Sequence, residues 1–174
     1  MNSAQLTNLE TSHTRCSLCK IRSYSFCRCL HDDELKVFQE ISTEKKYENN
    51  QSIFLQQDES VNLFNITEGN VKIYQLLNDG RIQIIGFLYP GDFFGSYRNG
   101  KYNYSADAIG NVRVCVFDQE KLDKYIEKNM SLAKELLHLT SHELTLAQDR
   151  ISVLGKFGAT ERLGKFIFNI SEQR

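Results

Sequence analysis

Residues 73–95 read IYQLLNDGRIQIIGFLYPGDFFG. Two runs rich in Ile and Leu flank Asn78-Asp79-Gly80, and a second turn signal follows at Pro90-Gly91-Asp92. Glycine accepts the positive φ that a tight hairpin turn needs, so Asp79-Gly80 predicts a β-hairpin. Working outward, turn signals recur at Glu68-Gly69-Asn70 and Ile109-Gly110-Asn111. Residues from about Lys46 to Asp118 therefore read as short apolar strands with turns roughly ten residues apart. That rhythm predicts a small antiparallel barrel or β-roll.

The flanks change period. Residues 31–38 (HDDELKVF) read as a short helix with acids in its first turn, whereas residues 1–14 are polar and expected to be mobile. From Gln119 to Leu154 there is no Gly or Pro, and the apolar period becomes helical. Met130, Leu137, Leu144 and Ile151 recur every seven residues, as do Ala133, Thr140, Ala147 and Leu154, filling the a and d positions of a heptad. Leu132, Leu136, Leu139 and Leu146 form a second stripe beside them. One stripe suits the roll and the other a second copy of the chain, which predicts a homodimer built on one helix over 119–155. Gly155 and Gly158 end that helix, and Thr160 caps a last one with Leu163, Phe166, Ile167 and Ile170 on its apolar face. The fold class is mixed α+β: an antiparallel β-roll followed by a long dimerisation helix.

A chain of 174 residues with 41% hydrophobic residues builds one domain, or one domain and an appendage. Its formal net charge of −1 gives no global attraction to nucleic acid or anionic membrane. Apolar runs such as Ile84 to Tyr89 are too short to span a bilayer, and the N-terminus lacks the apolar stretch of a signal peptide. These features predict a cytoplasmic protein, whose thiols stay reduced.

Against that expectation stands CSLCKIRSYSFCRC, residues 16–29, with Cys16, Cys19, Cys27 and Cys29; a fifth cysteine, Cys115, lies far away in an apolar run. An odd number of cysteines does not close a disulfide framework. Thiolates suit zinc and iron–sulfur centres, and two sulfurs spaced C-x2-C can reach the same metal. Arg15, Lys20, Arg22 and Arg28 surround the thiols with no acid between Thr11 and Leu30. Such cations offset a dianionic four-thiolate centre, whether its metal is zinc or iron. Spacing alone leaves both metals open.

The order of cysteine segment, β-roll and heptad helix resembles the CRP/FNR family of bacterial transcription regulators, and more narrowly its oxygen-sensing FNR type. The matching residues are Cys16-x2-Cys19-x7-Cys27, Cys115 late in the roll, the glycine-rich turn Pro90-Gly91-Asp92 through Gly95, and Ala159-Thr160-Glu161-Arg162-Leu163. The resemblance spans roughly residues 16–174 and implies a cyclic-nucleotide-binding-domain-like roll, a double-stranded β-helix. It implies that Cys16, Cys19, Cys27 and Cys115 ligate a [4Fe–4S] cluster, with Cys29 spare. It also implies that oxygen degrades the cluster and loosens the dimer. The parts are then residues 1–30, tail and cluster loop; 31–118, sensor roll; 119–155, dimerisation helix; and 156–174, the start of a DNA-binding domain. Residues 156–174 have room for barely one helix, so contact with DNA and RNA polymerase is expected only with a winged helix-turn-helix that they do not contain. Ala147 stands where the FNR type often has an acid that opposes dimerisation, which implies a redox control of the dimer that is weaker or set elsewhere.

Two rival classes have less support in the residues. In the nucleotide-binding branch a glutamate follows the glycine of the turn, and an Arg-Ser/Thr-Ala set binds phosphate. Here Ser96 follows Gly95 and Tyr104 precedes Ser105-Ala106, so the phosphate loses its guanidinium partner. An enzyme would need a metal or nucleophile motif. His13, His31, His138 and His142 all fall outside the predicted roll, and His138 and His142 take water-facing heptad positions.

Overall fold

The computed structural model describes residues 15–95, 100–156, 158, 160, 161, 164, 167 and 168. They fall into two compact units, residues 1–133 and 134–174.

In the first unit the cysteine segment forms a turn and two short 3-10 helices, Arg22–Tyr24 and Phe26–Cys29. Helix α1, Asp32–Glu40, follows, its start closed by Glu34, whose carboxylate accepts from the His31 N–H at 2.8 Å. Six strands come next: β1 Ser42–Tyr47, β2 Ser52–Phe54, β3 Asn62–Leu76, β4 Ile82–Leu88, β5 Phe93–Gly95 and β6 Ser105–Asp118. All pair antiparallel in the order β1-β6-β3-β4, with β2 also on β6 and β5 also on β3. The predicted hairpin is present between β3 and β4: the Gly80 N–H donates to Leu77 O at 2.9 Å, and Gly80 has φ +83°.

Alternation along β6 decides the two faces of the roll. Val112, Val114 and Val116 point into the core with Phe54, Phe64, Ile66, Val71, Phe94 and Tyr102. Arg113, Cys115 and Phe117 therefore take the opposite face. Phe117 is nonetheless 1% exposed, because the cysteine segment and α1 cover it. Phe26 is the contact: its ring lies 5.9 Å from Phe38 of α1, 5.3 Å from Phe93 of β5 and 5.5 Å from Phe117 of β6, all edge-on.

The second turn of the stretch quoted first, Pro90-Gly91-Asp92, lies against the same segment. Gly91 has φ +100°, and a Cβ there would stand 2.8 Å from the Tyr24 ring, so both conformation and space require glycine. Its N–H donates to Ile66 O at 2.8 Å, and the Ile66 N–H donates to Asp92 O at 3.1 Å, fixing the turn to β3.

The single helix expected over 119–155 is two. Helix α2 runs Gln119–Ile126 and α3 runs Met130–Lys156. Asn129 makes the break: its side-chain oxygen accepts from the Leu132 N–H at 2.8 Å, capping α3, while its amide donates to Glu34 at 2.7 Å. Leu132 is fully buried. Along α3, Met130, Leu137, Leu144 and Ile151 are 69%, 68%, 59% and 68% exposed, so the seven-residue stripe is uncovered in one chain. Of the last predicted helix, Thr160, Glu161, Gly164, Ile167 and Phe168 are helical, while Leu163, Phe166 and Ile170 lie outside the described residues.

Phe26→Ala should lower unfolding free energy by about 3–5 kcal/mol, read from urea denaturation of the metal-free protein. A loss below about 1 kcal/mol would show that the segment is not held by this ring.

Candidate metal centre

The cysteine segment is built from three interleaved demands. Ile21, Phe26 and Leu30 are buried and hold it to the unit. Short turns shape it: the Cys19 N–H donates to Cys16 O at 3.3 Å, and Ser25 caps the second 3-10 helix by accepting from the Cys27 N–H at 3.3 Å. Polar side chains then tie down its ends. The Cys16 N–H donates to Gln39 Oε1 of α1 at 3.2 Å, and Arg22 donates to Asp32 and to Leu30 O, each at 2.9 Å.

All five cysteines are free thiols. Cys16, Cys19 and Cys115 line one cleft of ≈ 360 Å³, together with Arg15, Glu44 and Arg113. Cys115 reaches it from β6, where it pairs with Glu44 of β1 and Asn65 of β3. Cys27 does not line the cleft, but it stands close enough to Cys16, Cys115 and Cys19 for their charges to interact. The Cys29 thiol donates to Phe26 O at 3.3 Å and lies near Tyr125.

Burial dominates the chemistry of these sulfurs. It pushes the Cys27 thiol from 9.0 to about 12, against a hydrogen bond with Ser25 and with the other three sulfurs adding to the rise. Burial also pushes Cys115 up to about 12, opposed by Arg15 and reinforced by Cys16, Cys19 and Glu44. Cys16 is raised by burial and lowered by the Arg15 charge. The raised values of Cys27 and Cys115 favour the protonated thiol over the nucleophilic thiolate. A metal that displaces their protons is bound more tightly as pH rises.

The nucleotide alternative has little to rest on in the roll. The Tyr104 hydroxyl accepts from the Gly95 N–H at 2.9 Å and donates to Gly95 O at 3.1 Å, and its ring lies 5.5 Å from Phe54. Phe54 in turn stacks on Tyr102 at 3.8 Å, so aromatic rings fill this part of the interior. Ser96 lies outside the described residues. His138 and His142 are exposed.

Sequence reasoning missed Ser25, Gln39, Ser42, Glu44 and Arg113 as neighbours of the thiols. The period-2 run around Cys115 could have shown its outward face; nothing in the sequence gives the register that sets Glu44 opposite it.

A roll of this build, with a thiol-lined cleft on its outer face, defines a sensor module of the cyclic nucleotide-binding type. The model of the cyclic nucleotide-binding domain matches residues 44–129. The nitrogen fixation regulation protein FixK of Bradyrhizobium diazoefficiens is 35% identical over 158 residues, which cover 91% of this chain and 67% of that protein. The fumarate and nitrate reduction regulatory protein of Escherichia coli is 32% identical over 161 residues, 91% of this chain and 64% of its own length. Among solved structures, FixK2 from Bradyrhizobium japonicum superposes with a TM-score of 0.70 at 29% identity, covering 76% of this chain and 67% of that one. The chain belongs to the CRP/FNR family of transcription regulators. It spans about two thirds of the length of the curated relatives it matches. No helix of the described residues is long and apolar enough to cross a membrane.

In reduced, metal-free protein at pH 8, Cys27 and Cys115 should alkylate about a thousandfold more slowly than in the urea-unfolded chain, read by mass spectrometry of iodoacetamide-labelled peptides. Because both values are raised on folding, their contribution to stability is full below pH 9 and is lost as pH rises toward 12. Equal rates in folded and unfolded protein would contradict this burial.

Proposed function

We propose that residues 1–174 are the sensor and dimerisation part of an oxygen-responsive transcription regulator, in which Cys16, Cys19, Cys27 and Cys115 hold a [4Fe–4S] cluster. The observation that carries the reading is the gathering of these four sulfurs, from the N-terminal segment and β6, beside one cleft while Cys29 bonds elsewhere. The spacing Cys16-x2-Cys19-x7-Cys27 with a distant fourth thiol at Cys115, which resembles the FNR type, is what favours iron–sulfur over zinc in this reading. A single zinc at about 2.3 Å from each sulfur would need four sulfurs ~3.8 Å apart. Among the described residues no three His, Cys, Asp or Glu side chains are already placed to hold one metal ion.

When bound, the cluster supplies an oxygen-labile centre. The chain's own residues do the rest. Burial by Phe26, Ile21 and Leu30 limits solvent access, and Ser25 and Gln39 fix the backbone that carries the thiols. Loss of the ligand set would remove the link that the cluster supplies between residues 16–29 and Cys115, leaving Ile21, Phe26 and Leu30 to hold the segment. The dimer is assigned to the exposed stripe Met130, Leu137, Leu144 and Ile151, an apolar row that a second copy would cover. Contact with DNA and RNA polymerase is assigned to the longer regulator, in the third of the relatives' length that lies beyond the match.

After anaerobic reconstitution, Ser at position 16, 19, 27 or 115 should each abolish the four-iron centre, and Cys29→Ser should retain it. Iron loss in Cys29→Ser with retention in Cys27→Ser would refute the ligand set. Separately, Ile151→Glu should place like charges across the helix seam and yield a folded monomer in sedimentation runs. A variant that sediments like a wild-type dimer would move the interface to another surface.

A further inference from the structure

Arg15 lies at the edge of the thiol cleft and is held unusually firmly for an arginine at the start of a loop. Its Nη2 donates to the Ser42 hydroxyl at 2.7 Å and to Ser42 O at 3.2 Å. The Ser42 hydroxyl donates to Gln39 O at 3.2 Å, and Gln39 Oε1 accepts from the Cys16 N–H at 3.2 Å. The guanidinium and the Cys16 backbone thus sit on one closed chain of hydrogen bonds through α1 and β1. These bonds leave the Nε–H of Arg15, which is buried and has no acceptor.

A buried guanidinium N–H without a partner is costly, since it has lost water and gained nothing. The other cations near the cleft do not share this condition. Arg113 pairs with Glu68 at 3.0 Å and Glu44 at 3.9 Å, Arg22 pairs with Asp32 at 2.9 Å, and Lys20 is exposed. Arg15 is half-buried, bonds to the neutral oxygens of Ser42 and interacts with the Cys16 thiol, on a cleft that also presents Cys19 and Cys115. Among the described residues no carboxylate pairs with it.

We propose that Arg15 is a positioning and charge-compensating residue for an anionic metal–thiolate group in this cleft, fixed by Ser42 and offering its Nε–H to the charge that the group brings. The inference rests on the proposed iron–sulfur reading and adds a residue outside the four ligands. A fixed cation beside a dianionic centre stabilises the more negative redox state, so it raises the reduction potential; removing it lowers the potential.

The test uses the 174-residue chain, reconstituted anaerobically with iron and sulfide, with the potential read by spectroelectrochemistry and iron retention read after gel filtration. Arg15→Gln should shift the one-electron equilibrium about tenfold toward the oxidised form, a drop of about 59 mV, and should lose iron faster. Arg15→Lys, which keeps the charge without the planar fork, should recover more than half of that shift. If Arg15→Gln does not fold, Ser42→Ala supplies the second reading, because it frees the guanidinium and should lower the potential in the same direction by a smaller amount. A wild-type potential and wild-type iron retention in folded Arg15→Gln would overturn the inference alone. So would an unchanged potential in Ser42→Ala, where that is the variant read. Wild-type protein that takes up no iron would overturn the iron–sulfur reading, and this inference with it.

Discussion

Phe26 stands edge-on to three rings from three elements, Phe38 of α1, Phe93 of β5 and Phe117 of β6, and is fully buried. The residue after it is Cys27. Because β6 alternates, Phe117 and Cys115 share the outer face of the roll, two residues apart. One packed ring therefore sets the distance between an N-terminal thiol and a thiol far along the chain. Without it, residues 16–29 would be held by Ile21, Leu30, short turns and a few hydrogen bonds, and Cys27 would lose the packing that sets it on the face of Cys115.

Burial around these thiols favours their protonated form, with Cys27 and Cys115 pushed up to about 12. On the proposed reading, occupancy would therefore change charge as well as geometry. A metal centre must expel protons and bring a net negative charge into a cleft whose rim already carries Glu44. Arg113 pairs with Glu44 and Glu68 and offsets one of those two negative charges, while Arg15 is the positive charge with the largest effect on the Cys16 thiol.

Much of the architecture was legible in the sequence. The β3–β4 hairpin follows from Asp79-Gly80, the first turn of α1 from its acids, and the exposed seven-residue stripe of α3 from Met130, Leu137, Leu144 and Ile151. The break between α2 and α3 was not, because Asn129 reads as an ordinary helix residue until its cap on Leu132 and its bond to Glu34 are seen. At the site, cysteine spacing marked a metal centre but left zinc and iron–sulfur open. The choice of ligands came from the resemblance, since Cys27 and Cys29 are two residues apart and equally plausible by spacing. The Cys27 thiol interacts in charge with Cys16, Cys19 and Cys115, and the Cys29 thiol donates to Phe26 O. Gln39 and Ser42 carry no sequence signal at all, because their part depends on how α1 packs beside the loop.

The central claim is that the four gathered thiols hold iron and sulfide rather than a single ion. The most direct measurement is iron, acid-labile sulfide and zinc determined on one sample isolated under strict anaerobiosis, alongside its visible absorbance. The account predicts a brown protein with about four iron and four sulfide per chain and no stoichiometric zinc, whose colour bleaches on admission of air. One zinc per chain without sulfide, under the same anaerobic conditions, would contradict it.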